Sequence, residues 1–114
     1  MQVTYHQISL TAAPQSIMTG FAAIYGAALA TQVQTFGVCK LQLKLAPAAT
    51  GPFRIQPTAD VTNYSATAPG DFIGPWPTPR LLEDMEGSNS IMPLQYAVSG
   101  ANPGDRLNVE FHVR

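Results

Sequence analysis

The chain has 114 residues, the length of one domain, and we expect a single domain over residues 1–114. Hydrophobic residues make up 46% of the chain and charged residues only 11%. This combination argues against a disordered protein and against a coiled coil, which depends on Glu, Lys and Arg. The net charge is −1 and the six basic residues are scattered, so no nucleic-acid partner is expected.

The charged residues are unevenly distributed along the chain. Lys40, Lys44 and Arg54 precede Asp60, which is the first of the seven acidic residues. A basic part and an acidic part can pair with copies of the same chain or with a larger assembly. Alternatively, folding mixes the two parts and removes the asymmetry, since strands distant in sequence often become neighbours in a sheet.

The sequence also indicates a cellular compartment. Cys39 is the one cysteine, so no internal disulfide can form. The first residues contain no basic segment followed by a long apolar stretch, and the small-apolar run at 21–30 is too short to span a bilayer. We therefore expect the protein to fold in a reducing cytoplasm and to have no membrane partner.

The first predicted strand covers residues 2–10, where apolar and polar residues alternate imperfectly. Residues 16–30 are ambiguous. Their apolar residues allow a helix, but Gly20 and Gly26 would each cost about 1 kcal/mol within one, which favours strand or extended structure. Residues 31–35 form a further candidate strand, or lead directly into the strand that follows.

Two later segments show the strict period of two that is typical of half-buried strands. Over residues 38–45, one cysteine and three leucines share one face, and over 106–114 four apolar residues do the same. A short strand is predicted at 53–55. The turn sequence at 102–105 then suggests that residues 91–114 form a terminal hairpin.

One short helical turn is predicted near residues 79–86. Thr78 is a suitable N-cap, Pro79 suits the first helical position, and Gly87 suits the C-terminal stop. Residues 60–79 before it read as a long loop, and loops of that length are often functional. The many short strands with turns between them predict an all-β fold, an antiparallel β-sandwich or barrel.

No catalytic or metal-binding motif stands out in the sequence. His6, His112 and Cys39 are the available metal ligands, and the two histidines come together only if the terminal strands pair. Two ordinary strand histidines and a buried cysteine are the favoured interpretation. We expect no cofactor and no enzymatic activity, because a cupin-like enzyme would need a histidine and carboxylate ligand set.

The binding candidates lie in the long loop, the predicted helical turn and the clearest strand. Trp76 is held between prolines, so it is either an interface anchor, a sugar-stacking platform or a cap on the core. The acidic residues of the turn form either a solvated face or a docking patch for a partner's Arg or Lys. The candidate interface residues are Phe72, Trp76, Glu83, Asp84, Glu86, Lys40 and Lys44.

The outward strand positions carry Thr, Gln, Asn and Ser more than charge. A solvent-exposed monomer normally carries more charge for solubility, and protein interfaces are depleted in Lys and Glu. Much of this surface is therefore expected to be covered, by copies of the chain or by a host assembly.

The layout resembles the small jelly-roll decoration (cement) proteins of tailed-phage capsids. The resemblance rests on size, composition, the alternating strand at 39–45, the middle loop with Ala68-Pro69-Gly70 and Pro75-Trp76-Pro77, and the closing strand after 102–105. It implies a jelly-roll-like sandwich that is made in the host cytoplasm and binds the capsid exterior. Its partners would be itself, as a dimer or trimer, and major capsid subunits or other virion proteins.

The alternative is a carbohydrate- or receptor-binding β-sandwich module of a virion or tail. In that case Trp76, Tyr64 and Tyr96 are the candidate stacking residues.

Overall fold

A computed structural model of the chain describes residues 2–57, 72–73, 80–84 and 91–113. At 56–57, 72–73 and 80–84 the description covers the backbone alone. The described chain is mostly β-strand, arranged in two antiparallel sheets of four strands each, with few helices. The expectation of an all-β, antiparallel fold is confirmed at this level.

The first sheet contains the two long terminal strands. It is built from β1 (Gln2–Ser9), β3 (Val38–Leu45), β6 (Arg80–Asp84) and β8 (Arg106–Val113), in the order β1-β8-β3-β6. β8 therefore lies between β1 and β3, and pairs with both along almost its full length.

The second sheet is built from shorter strands. They are β2 (Gln15–Ser16), β4 (Phe53–Pro57), β5 (Phe72–Ile73) and β7 (Tyr96–Gly100), in the order β2-β7-β4-β5. Along the chain, the described strands change sheet at every step except between β4 and β5. The buried hydrophobic residues of both sheets belong to one cluster.

The strand predicted at the C-terminus is confirmed, but the hairpin is wrong. In β8 the apolar residues are buried and the alternate residues are partly exposed, as the period of two predicts. β7 does not pair with β8, however, because β7 joins the second sheet and β8 the first. The turn at 102–105 thus leads the chain from one sheet to the other.

Cys39 was predicted on the buried face of its strand, and that placement is wrong. Val38 pairs with Val113 and Lys40 with His112, so Cys39 is the extra residue of a register shift. Val38 is buried in its place, and Cys39 is only partly buried. Its Sγ lies 3.2 Å from the carbonyl oxygen of His112.

Two helices occupy the region for which extended structure was predicted. They are α1 (Phe21–Tyr25) and α2 (Ala27–Phe36), and α2 also covers the candidate strand at 31–35. The prediction failed because Gly20, Gly26 and Gly37 lie at the helix ends and not inside a helix. Each has a positive φ, which suits a helix boundary, so the expected interior cost does not arise.

The helical turn predicted near residues 79–86 is also wrong, because residues 80–84 form β6. This strand pairs with β3, placing Asp84 opposite Lys40 and Glu83 opposite Leu41. Pairing with a long strand outweighs the weak local preference for a helix. The proposed capping residues Thr78, Pro79 and Gly87 lie outside the described residues. A 3₁₀ turn follows later, at Pro93–Gln95.

Neither described helix, at five and ten residues, is long and apolar enough to cross a membrane.

An aromatic cluster attaches α1 to the first sheet. The ring of Phe21 is fully buried and lies 5.6 Å from that of Phe111 and 5.5 Å from that of His6, measured between centroids. The ring of Tyr25 also packs against Phe21, at 4.9 Å between centroids. Phe21 is therefore the side chain that connects the helix to the core.

Replacing Phe21 with Ala is expected to lower the free energy of unfolding by about 3–5 kcal/mol, since it removes a buried aromatic ring. Ile24→Ala is the matched control on the same helix, because Ile24 is 60% exposed, and should stay within about 0.5 kcal/mol of the parent. Urea unfolding followed by circular dichroism measures both. Equal effects of the two substitutions would contradict the assigned role of Phe21.

The Asp105 carboxylate holds two loops together at one end of the sheets. It accepts hydrogen bonds from the backbone N–H of Thr50 and Gly51 and from the Thr50 hydroxyl. Its own carbonyl accepts from the N–H of Leu10 at 2.7 Å. Three distant segments therefore meet at this one residue.

Asp105→Ala is expected to cost about 1–2 kcal/mol, because backbone donors that bonded a charged acceptor lose it. Asn102→Ala removes a single exposed hydrogen bond to Thr50 and serves as the control. Thermal and urea unfolding of both variants test the assignment. It fails if the Asn102 variant loses as much stability as the Asp105 variant.

Candidate functional site

The outer face of the first sheet presents polar side chains from three adjacent strands. Because β8 lies between β1 and β3, residues at matching register form rows across the sheet. Two neighbouring rows are Tyr5–Glu110–Gln42 and Gln7–Asn108–Lys44. All six residues alternate with buried residues of the same strands. The same alternation of polar and apolar residues therefore forms both the core and this outer face.

A cavity of about 490 Å³ lies over these two rows. Ile24 of α1 also lines it, so one wall comes from the helix and the floor from the sheet. This volume falls in the range of about 300–1,000 Å³ that is common for small-molecule sites. The lining combines two large apolar groups with several polar ones, as such sites require.

Tyr5 is fixed at the edge of this cavity by a second tyrosine. The Tyr5 N–H donates to the Tyr25 hydroxyl oxygen at 2.8 Å, and that hydroxyl lies 3.2 Å from the Tyr5 carbonyl oxygen, to which it donates. Tyr25 is in turn packed on buried Phe21. The Tyr5 side chain is nevertheless 61% exposed. An accessible ring is thus attached to an anchored backbone.

The charges in the cavity lining balance. Lys44 is its one cation and Glu110 its one anion among the described lining residues. Glu110 is held by His112, whose Nε2 lies 2.6 Å from Glu110 Oε2. The other polar residues of the described lining are Tyr5, His6 and the three carboxamide residues Gln7, Gln42 and Asn108. The site therefore has no excess of either charge.

His6 lies beneath this face, on the buried side of β1. Its Nε2 is 2.7 Å from the Ile17 carbonyl oxygen, so this nitrogen carries the proton and donates. Nδ1 of His6 and the hydroxyl of Thr4 are buried with no hydrogen-bond partner among the residues that the structure describes. Burial lowers the pKa of His6 below its ordinary value of 6.5, and the bond to Ile17 opposes this only in part.

The two histidines do not form a metal site. β1 and β8 are neighbouring strands, which is the condition for the two histidines to be close. In the observed register, however, His6 lies opposite Val109 and His112 opposite Val3, so the histidines are not opposite each other. His6 is buried in the core, whereas His112 is on the outer face. Among residues 2–57, 72–73, 80–84 and 91–113, no group of three or more His, Cys, Asp or Glu could hold a metal ion.

The predicted interface residues are distributed over both sheets. Lys40 and Lys44 are on the outer face of the first sheet, and Asp84 pairs in register with Lys40. Glu83 lies beside it on β6. Phe72 belongs to β5 in the other sheet, opposite Arg54, so it does not join the lysines. Trp76 and Glu86 lie outside the described residues.

The stacking residues predicted for the glycan alternative differ from those that the cavity offers. Tyr96 is partly buried and packs against the core, and Tyr64 lies outside the described residues. Sequence reasoning missed Tyr5, Gln7, Gln42, Asn108 and Glu110 as one group. The alternation within each strand indicates that these residues face outward. It does not indicate that β1 pairs with β8, which is what brings them together.

Comparison with protein-family models, with curated proteins and with solved structures found no match to this chain. The function is therefore argued from the surfaces of the chain itself.

The pKa of His6 predicts a pH dependence of stability. Below about pH 6.5 the unfolded chain binds a proton at His6 more readily than the folded chain does. The contribution of neutral His6 to the free energy of unfolding is therefore fully present above that pH. It is lost as the pH falls through the lowered pKa of His6 in the folded chain. Urea unfolding at a series of pH values should show the stability falling with acidification.

The His6→Gln variant should lack this component, whereas His112→Gln should retain it. Persistence of the same acid-dependent loss in His6→Gln would show that another group causes it.

Proposed function

We propose that the chain is a non-enzymatic structural protein, a decoration protein that oligomerises and binds the exterior of a tailed-phage capsid. In this role it acts as a dimer or trimer and connects neighbouring major capsid subunits. The observation that carries the proposal is a surface without charge on α2, next to exposed apolar side chains.

The exposed face of α2 is neutral over its whole length. It consists of Ala27, Ala28, Thr31, Gln32, Thr35 and Phe36. Phe36 is 67% exposed, and Leu94, on the 3₁₀ turn that α2 contacts, is 46% exposed. Helix faces in contact with water normally carry Lys and Glu, whereas the centres of protein interfaces lack them and are enriched in aromatic residues. This composition supports a covered surface.

A second copy of the chain is the proposed occupant of the α2 surface. Because the patch contains no ionised group, two or three copies can meet through it without burying an unpaired charge. Whereas the α2 surface is uncharged, the contact with capsid subunits is assigned to the charged strand β6, which contains Glu83 and Asp84. This strand ends the described order of the first sheet, and Glu and Asp are residue types that suit a partner's Arg or Lys.

The finer fold assignment belongs to the same proposal. We infer a jelly-roll β-sandwich, supported by the eight described strands in the orders β1-β8-β3-β6 and β2-β7-β4-β5. This architecture occurs in viral capsid proteins, but also in lectins and cupins. Architecture alone does not give function, so the proposal depends on the surface and not on the fold.

Shell stabilisation would come from apolar burial at many equivalent sites. Each contact contributes about 25 cal/mol per Å² of apolar area, less the cost of association. An oligomer that engages several capsid subunits at once gains further by multivalency, so a modest affinity per contact is sufficient.

The native mass of the purified protein, measured by sedimentation equilibrium, should correspond to a dimer or trimer. The double variant Phe36→Glu/Leu94→Glu should sediment as a monomer, since it places charge in the apolar contact. Ala101→Glu introduces the same charge on an exposed loop and should leave the oligomer intact.

The parent protein should also co-sediment with expanded tailed-phage capsids, and the monomeric variant should do so less. A parent chain that is monomeric and stays in the supernatant would overturn the proposal.

A further inference from the structure

We propose that the cavity on the outer face of the first sheet binds a neutral saccharide. The site consists of Tyr5 and Ile24 at its rim and the side chains of Gln7, Gln42, Asn108 and Glu110 within it. It is separate from the α2 surface assigned to oligomerisation, so it represents a further binding activity and does not depend on the proposed function.

The charge of the lining selects an uncharged ligand. Lys44 and Glu110 contribute opposite charges, and Glu110 is already paired with His112. Binding an anion such as a phosphate would require a surplus of Arg or Lys, which the described lining lacks. A cation would have to compete with His112 for the carboxylate. A ligand without net charge meets neither obstacle.

The hydrogen-bonding groups match hydroxyls. Gln7, Gln42 and Asn108 each carry a carboxamide, which has an acceptor oxygen and two donor hydrogens. The Gln7 oxygen also accepts a long, exposed hydrogen bond of 3.5 Å from Arg106 Nη1, and its two donor hydrogens remain for a ligand. A hydroxyl group both donates and accepts, so an adjacent pair of sugar hydroxyls can be satisfied by one carboxamide in either orientation. Three carboxamides on three neighbouring strands present this capacity over an extended area.

The apolar rim suits the carbon face of a sugar ring. Tyr5 and Ile24 are both about three-fifths exposed, at 61% and 60%, although large apolar side chains usually lie inside. An aromatic ring can cover the C–H face of a pyranose while its own edge remains wet. The two bonds between Tyr25 and the Tyr5 backbone anchor the strand that carries this ring, which reduces the entropy lost on binding.

The dimensions fit one or two sugar rings. Adjacent strands lie about 4.8 Å apart, so a row across β1, β8 and β3 spans about 10 Å. The cavity volume of about 490 Å³ is in keeping with a ligand of that length. Its floor is the sheet and α1 provides a wall, so the cavity is present in the chain without a ligand.

The test uses saturation-transfer NMR and titration of the purified full chain with glucose, galactose, mannose, N-acetylglucosamine, maltose and cellobiose. At least one of them should bind with a millimolar or lower Kd. Tyr5→Ala should raise that Kd about tenfold, and Gln42→Ala about fivefold through loss of a hydrogen bond. Both side chains are partly or largely exposed, and melting curves should show that both variants fold.

Val3→Ala is the matched control. Val3 lies two residues before Tyr5 on the same strand and is not among the residues that line the cavity, so the Kd should not change. Absence of binding by every sugar overturns the proposal. So does unchanged affinity in both Tyr5→Ala and Gln42→Ala, or tighter binding of glucose 6-phosphate than of glucose.

Failure here is distinguishable from failure of the assembly proposal. The Phe36→Glu/Leu94→Glu variant should keep its affinity for the sugar while losing its oligomeric mass. A loss of both in that variant would contradict the separation of the two surfaces.

Discussion

The central constraint on this fold is the insertion of β8 between β1 and β3. These pairings bring the two ends of the described chain together and place His6 and Phe111, the two rings that Phe21 of α1 contacts, on adjacent strands. The alternation of β8 then serves two purposes at once. Its apolar residues complete the core, and Asn108 and Glu110 join the rows on the outer face. Without this pairing there would be neither a closed core nor a continuous outer face.

What sequence reasoning recovered depends on how local the information is. The parity of β3 and β8 follows from the period of two and was predicted over most of their length. The register shift at Cys39 was not predicted, because it arises from pairing with β8 and leaves no mark on the strand itself. The false hairpin has the same origin, since turn residues specify that the chain reverses but not which sheet receives it.

The two errors about helices have opposite causes. For α1 and α2, the expected interior cost of Gly20 and Gly26 does not arise, because both glycines lie at helix boundaries, as Gly37 does at the end of α2. The helices between them contain ordinary helix-compatible residues. At 80–84 the local signals favoured a helix, but the edge of β3 offered a ladder of backbone hydrogen bonds. Local preference is worth tenths of a kcal/mol per residue, so a non-local partner decides such cases. The candidate site was hidden for the same reason, because Tyr5 and Glu110 are adjacent only through the sheet.

The scarcity of charge has a structural consequence at β1. Edge strands are usually protected from further pairing by Lys, Pro or bulges, yet no ionised Asp, Glu, Lys or Arg precedes Lys40 in this chain. Here side chains form hydrogen bonds with backbone N–H and carbonyl groups of β1 instead. The Tyr25 hydroxyl satisfies both polar groups of Tyr5, and the Gln15 amide donates to the Ser9 carbonyl at 2.8 Å. The Tyr25 contacts at this edge also anchor the residue that presents an aromatic ring to the cavity. Because Tyr25 belongs to α1, one pair of hydrogen bonds connects this helix to the strand that carries the cavity's tyrosine.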